Sequence, residues 1–307
     1  MSAAPPGDGP RLSRGGRAPQ WADRDDRRAP DRPIWVNGRI RRGADAALSL
    51  FDRGARDGLG LIETLRVEGR RLLEWHGHME RLVLSCAEIG YPVPPPPALL
   101  EDAVAALLED AGLDDAAVRI TVTRGIEGLR PGRPGCWIDA HPLRSRLWRG
   151  TRAGAARAIV SGRPFAPGAW GRWKTTSRMA YQQASDEARI ARADEAILVS
   201  ADGEVLEGAT SNVFAVIAGE VVTPPLATGI LPGVTRATVL RLCTALAIPA
   251  CERLLHRDAL LRADEAFVTN AIQQVVPLGR VDERGFSTRD IAARLLDAYR
   301  KEVVPEA

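Results

Sequence analysis

The sequence predicts a mixed α/β chain built as two domains, and three observations carry that prediction. At 307 residues the chain exceeds the size at which one hydrophobic core usually stops growing. Strand-like and helix-like apolar spacings alternate in both halves, punctuated by Gly, Pro and Asn. Between the halves, from His141 to Arg152, the composition loosens. The expected organisation is an Arg- and Pro-rich disordered arm over 1–31, a small α/β domain over 32–145, a linker over 146–153 and a larger domain over 154–303.

Each element has its own local reason. Ile34 to Val36 and Arg39 to Arg41 flank Asn37-Gly38, a strong signal for a tight hairpin. From Arg71 to Ile89 the apolar residues Leu72, Leu73, Met79, Leu82, Val83 and Ala87 take helical spacing after a short strand, and a second helix is expected from Ala98 to Ala111. Val118, Ile120 and Val122 alternate with Arg119, Thr121 and Thr123 as in a half-buried strand, with Trp137 to Ala140 as its partner. The second half opens with a strand at Ala156 to Val160, a Pro/Gly loop through Gly171 and a helix from Ser177 to Ala191. Two hairpins follow, Glu195–Ser200 with Glu204–Leu206 and Ser211–Ile217 with Glu220–Thr223. Pro232 reads as a first helical position, leading a helix over Val234 to Ala247.

Composition removes several function classes. No apolar run approaches a membrane span, and the N-terminal charges precede no apolar stretch, so neither signal nor anchor is expected and a cytoplasmic location follows. A net charge of +3, with Asp interleaved among the Arg residues of the arm, gives little reason to expect nucleic acid. Cys86, Cys136, Cys243 and Cys251 are scattered without Cys-x-x-Cys spacing and read as free thiols, with neither disulfide nor metal.

The chain uses its cations unevenly. Lys174 and Lys301 are the only lysines among 42 basic residues. An amine that must lose its proton and attack a carbonyl has to be lysine, because guanidinium stays protonated. Lys301 sits in a polar C-terminal helix and reads as surface, which leaves Lys174 as the candidate nucleophile. A second clue is Leu231-Pro-Gly-Val-Thr-Arg236, where a helix start presents free N–H groups that suit a phosphate. An ordinary helix start has the same form.

Several separated motifs together resemble the class IV aminotransferases, the group holding branched-chain aminotransferases, D-amino-acid aminotransferases and aminodeoxychorismate lyases. They are Asp52-Arg-Gly54 with Gly60-Leu-Ile-Glu-Thr64, His78-Met-Glu-Arg-Leu82, Lys174, and Glu207-Gly-Ala-Thr-Ser-Asn-Val-Phe214. Thr223-Pro-Pro225, Gly229-Ile-Leu-Pro-Gly-Val-Thr-Arg236 and Ala263-Asp-Glu-Ala-Phe267 complete the series. The resemblance implies pyridoxal-phosphate (PLP) fold type IV: a small α/β N-terminal domain, a larger domain with a barrel-like β core, and assembly as a homodimer.

The same resemblance implies the site. Lys174 would carry pyridoxal 5′-phosphate as a Schiff base and shuttle the substrate proton, and Glu207 would keep the pyridine nitrogen protonated. Arg81 would bind the phosphate, joined by the backbone of Val234 and Thr235, the Thr235 hydroxyl, and Asn270 and Ala271. Ala271 stands where other members often place a hydroxyl, so its contact would come from backbone.

Within the family, Arg178 four residues after Lys174, the spacing from Lys174 to Glu207, and Thr269-Asn270-Ala271 lean toward the lyase. The loop Thr123-Arg-Gly125 with Arg130 leans the same way, though D-amino-acid aminotransferases share its start. On this reading the chain releases pyruvate and 4-aminobenzoate from 4-amino-4-deoxychorismate, with Arg124 and Arg178 as candidates for the two substrate carboxylates. A transaminase of a branched-chain or D-amino acid is the alternative, and a non-catalytic binding protein a remote one. Asp57-Gly58-Leu59-Gly60 replaces the family's Tyr-Gly-Asp-Gly, and Ile62 replaces Phe, so one pocket wall differs.

Overall fold

The computed structural model describes residues 31–126, 128 and 134–304. Apart from Asp31 the N-terminal arm lies outside these residues, as does Arg130. The first half contains β1 (Pro33–Val36), β2 (Arg39–Arg42), α1 (Arg53–Asp57), β3 (Gly60–Glu68), β4 (Arg71–Leu72), α2 (Trp75–Glu88), α3 (Pro97–Ala111), β5 (Ala116–Thr123) and β6 (Cys136–Pro142). Its six strands form an antiparallel sheet in the order β2-β1-β6-β5-β3-β4. Met79, Leu82 and Cys86 of α2 and Leu100, Val104 and Leu107 of α3 pack on Leu61, Leu65, Val118 and Ile120 of the sheet. Strand β3 is buried on both faces over most of its length and shows no clean alternation, so the apolar spacing reveals only a short strand ahead of α2.

Two short helices, α4 (Leu143–Arg146) and α5 (Arg149–Ala153), occupy the stretch expected to be the linker. The second half then runs β7 (Ala156–Val160), α6 (Met179–Ile190), β8 (Glu195–Val199), β9 (Glu204–Gly208), β10 (Asn212–Ile217), β11 (Glu220–Thr223), α7 (Val234–Ala245), β12 (Ala250–Glu252), β13 (Leu255–His256), α8 (Arg257–Arg262), β14 (Glu265–Asn270), β15 (Gln274–Val281), β16 (Arg284–Gly285) and α9 (Asp290–Val303).

The sheet order in this half is β12-β11-β10-β14-β15-β7-β8-β9-β13, with β16 beside β15. Strands β9 and β10 are consecutive in sequence, yet β14, β15, β7 and β8 lie between them. A flat sheet would part them by five spacings, about 24 Å, whereas the chain from Gly208 to Asn212 reaches at most about 15 Å. The sheet therefore curls into a half-barrel, as the family resemblance implies.

Two boundaries differ from expectation, each for a local reason. Helix α6 begins at Met179 rather than Ser177, because the preceding residues pair with β3: Ile62 N–H donates to the Lys174 carbonyl and Thr176 N–H to the Gly60 carbonyl, both at 2.8 Å. Helix α7 is capped by Gly233, so Pro232 precedes the cap instead of filling the first helical position. All four cysteines are free, and Cys86, Cys136 and Cys243 are buried. Among the described residues no helix is long and apolar enough to cross a membrane.

Candidate active site

A cavity of about 310 Å³ is lined by residues of both halves, and Lys174, Glu207, Arg81, Val234, Thr235, Asn270, Ala271 and Arg178 all border it. Backbone packing aims Lys174 there. A Cβ at Gly171 would stand 2.1 Å from the Gly229 carbonyl oxygen, so the loop ahead of Lys174 can lie against the 226–229 turn only as glycine. The pairing of Lys174 and Thr176 with β3 then fixes the backbone on the other side.

The Lys174 residue is half-buried and lines the cavity, but the protein packed around its amine strips most hydration from it. Burial first, then the positive charges of Arg178 and Arg81, lower its pKa to about 7 and outweigh Glu63 and Glu207. A buried amine of this kind is largely uncharged just above neutrality and can act as nucleophile or base.

Glu207 lies near the end of β9 and is 3% exposed. Its Oε1 accepts from the Tyr181 hydroxyl at 2.9 Å and its Oε2 from the Leu231 N–H at 3.1 Å. Burial raises its pKa to about 7 in spite of those donors and of Arg178 and Lys174. A carboxylate so destabilised gains much from a cation or an acidic N–H placed beside it.

Arg81 does not stand alone. Strand alternation turns Ile62 and Thr64 of β3 to the cavity and Glu63 to α2, where Arg81 grips Glu63 at 2.8 and 2.6 Å and donates to the Pro232 carbonyl at 2.9 Å. His78 Nδ1 lies 2.7 Å from Glu63 Oε2. Burial alone would raise Glu63, but the charge of Arg81 and the hydrogen bonds from His78 and Arg81 hold it at about 2. An ionised Glu63 makes His78 Nδ1 the donor, and leaves the buried Nε2 on the cavity without a partner.

The first turn of α7 offers the N–H groups of Val234 and Thr235, which have no carbonyl one turn back. The Thr235 hydroxyl, expected as a further donor, is instead committed to Glu74 Oε2 at 3.0 Å. That carboxylate also takes the Thr238 hydroxyl, at 2.6 Å, and the Tyr299 hydroxyl. Asn270 Oδ1 is occupied by the N–H groups of Ile272 and Gln273, so its side chain shapes the loop.

The arginines divide differently from the sequence-based expectation. Arg178 lies at the cavity, donating to the Ala209 carbonyl at 2.9 Å with its guanidinium 4.0 Å from the Tyr181 ring. Arg124 does not reach the cavity: it follows the last residue of β5 and is exposed. Arg119, which shares a strand face with Ala117, and Arg146 at the end of α4 line the exposed mouth instead. Among the described residues no carboxylate forms an ion pair with Arg119, Arg146 or Arg178. A charge inside an otherwise apolar strand, as at Glu63 and Arg119, was the sequence signal for two of these groups. Tyr181 and Arg146 had none, whereas His78 opens the His78-Met-Glu-Arg-Leu82 motif.

A family model for class IV amino-transferases matches residues 60–281. The chain belongs to that family. Among similar class IV proteins, an aminodeoxychorismate lyase of Bacillus subtilis is 29% identical over 279 residues, 88% of this chain and 94% of the relative. The crystal structure of a branched-chain aminotransferase from Thermoproteus uzoniensis with norvaline superposes with TM-score 0.79 at 29% identity, covering 89% of this chain and 95% of that one. A hypothetical aminotransferase from Mycobacterium tuberculosis, solved in its PLP-bound form, gives TM-score 0.79 at 25% identity, covering 89% and 99%.

The class IV family uses pyridoxal 5′-phosphate, and the donor set here fits that group. On one side stand the Val234 and Thr235 N–H groups and Arg81, as a phosphate requires. The buried Glu207 carboxylate and the poised Lys174 amine line the same cavity.

Proposed function

We propose that this chain is a pyridoxal-phosphate-dependent 4-amino-4-deoxychorismate lyase, acting as a homodimer, that releases pyruvate and 4-aminobenzoate. Lys174 would hold the cofactor covalently, Glu207 would face its ring nitrogen, and Arg81 with the Val234 and Thr235 N–H groups would take the phosphate. Asn270 and Ala271 would close the cup through backbone. When bound, the cofactor supplies an electron sink for charge developing at the amine-bearing carbon.

The observation that carries the lyase reading is the trio Arg119, Arg146 and Arg178, three guanidinium groups at the cavity that form no ion pair with a carboxylate among the described residues. A substrate with two carboxylates meets them directly, since guanidinium pairs with carboxylate in bidentate fashion. Lys174 Nζ would take the proton from the amine-bearing ring carbon. The electron pair of that C–H bond would form the new ring double bond as the C–O bond to the enolpyruvyl group breaks. The departing enolpyruvate would take up a proton to become pyruvate, with aromatisation driving the release. Tyr181 and Leu231 orient Glu207 throughout by the hydrogen bonds they donate.

One observation favours transamination of a branched-chain or D-amino acid. Ile62, Ala117, Trp148 and Ile272 give the cavity an apolar side that an aliphatic side chain would suit. A single experiment separates the two. Incubation with aminodeoxychorismate should yield pyruvate and 4-aminobenzoate, while D-alanine, L-leucine and L-glutamate given without an acceptor should convert the cofactor to its amine form slowly. Fast conversion by one donor with no pyruvate from aminodeoxychorismate would place the chain among the transaminases.

A further inference from the structure

Gln273 is 4% exposed, and both polar atoms of its side chain are spent on the stretch that joins the two sheets. Oε1 accepts from the Trp148 N–H at 3.1 Å and from the Thr151 hydroxyl at 2.6 Å, and Nε2 donates to the Arg146 carbonyl at 2.9 Å. Helices α4 and α5, of four and five residues, are too short to hold their own shape. Leu143 N–H is tied to the Asp115 carbonyl and Gly150 N–H to Asp194; between them the side chain of Trp148 packs against the core of the second half, and the backbone is held from outside by Gln273.

The anchor itself is fixed. The Gln273 N–H donates to Asn270 Oδ1 at 2.7 Å, and Arg66 of β3 donates to the neighbouring Ile272 carbonyl at 2.8 Å. A buried amide is costly unless its bonds are made, and here all of them point at the backbone or hydroxyl of one segment. That segment carries Arg146 and Trp148 into the mouth of the cavity.

We infer that Gln273 is a positioning residue that clamps residues 146–151 as one wall of the mouth and so sets substrate affinity through Arg146 and Trp148. The inference rests on reading this cavity as the substrate site. The clamp acts on substrate and leaves the cofactor end alone, because Lys174, Glu207 and Arg81 take none of its hydrogen bonds.

The test is Gln273→Leu in the holoenzyme, with amide hydrogen exchange followed over residues 146–151 and kinetics measured on aminodeoxychorismate, or on whichever amino donor the wild type turns over. Exchange should quicken there and KM should rise about tenfold, with most of the loss in KM rather than kcat and the visible absorbance of bound cofactor retained. Thr151→Val removes one of the three bonds and should move both readouts the same way by less, which keeps the test intact if Gln273→Leu does not fold. Unchanged exchange, or faster exchange with KM unmoved, would overturn the inference. Failure of the lyase reading would show separately, as absence of pyruvate from the wild-type enzyme.

Discussion

The buried end of the cavity and its mouth are built in opposite ways. At the buried end each functional group is held by dedicated partners, Glu207 by Tyr181 and Leu231, and Glu63 by Arg81 and His78. At the mouth, Arg119 and Arg146 are exposed, have no carboxylate partner among the described residues, and depend for their reach on a strand and on a connection of two very short helices. Chemistry is thus fixed at one end and free to vary at the other. Groups whose pKa must be set need burial and neighbours, whereas groups that choose a substrate need only to face it.

The largest effect that this contrast leads us to expect lies at its fixed end. Lys174→Ala should abolish turnover and the visible absorbance of bound cofactor, and Lys174→Arg should do the same because guanidinium does not deprotonate. Borohydride reduction followed by peptide mapping checks it; cofactor found on Lys301 would mean that the buried end has been misread.

Arg81→Ala should come next. It removes the main partner of a buried carboxylate, a loss of roughly 3–5 kcal/mol of stability in comparable sites, and weakens cofactor affinity. Glu63 has a folded pKa of about 2, below its ordinary value of 4.5, so its contribution is present above about 4.5 and is lost as the pH falls toward 2. Without Arg81 the midpoint of acid unfolding should therefore rise, as circular dichroism against pH would show.

Glu207→Gln should leave the fold and the cofactor in place but remove the charge that, on the proposed reading, would face the ring nitrogen. Proton removal should slow by on the order of a hundredfold, with cofactor affinity changed little. If Glu207→Gln lost cofactor while Arg81→Ala merely slowed proton transfer, the assignment of the two ends would be reversed.

A smaller effect follows from the poised amine. With Lys174 near 7, apoprotein should take up cofactor about tenfold faster at pH 8 than at pH 6 and level off above that. Its folded pKa lies below the ordinary value of 10.5, so the unfolded chain binds more protons between about 7 and 10.5 and apoprotein stability should rise with pH across that window. Uptake still climbing at pH 10 would point to an ordinary surface amine.

The contrast also explains what could be read from sequence. Lys174 stood out because the chain otherwise uses arginine, and Glu207 because a family motif surrounds it; both requirements are chemical and leave few substitutes. The hairpins were legible from their turn residues, and β7 from its own short apolar run. Strand β3 was not, because burial on both faces erases the period of two. The Thr235 hydroxyl reads as a phosphate donor in sequence because its partner, Glu74, is 161 residues away, and nothing local announces a contact across that distance.

The smallest effect is expected at the mouth, where the sequence pointed to Arg124 and the fold brings Arg119 and Arg146. In β5 the side chains of Ala117 and Arg119 face the cavity, while Arg124 lies beyond the strand end and exposed. Arg146→Ala should raise KM for a dicarboxylate substrate by several-fold to about tenfold and leave kcat nearly intact, as expected for loss of one exposed charge-assisted contact. Arg124→Ala should change KM by less than about twofold, as befits an exposed arginine. Steady-state kinetics on the two variants side by side decide the matter. Equal losses would mean that Arg124 reaches a cavity after all, which within one subunit it does not, and would make a second copy of the chain part of the substrate site.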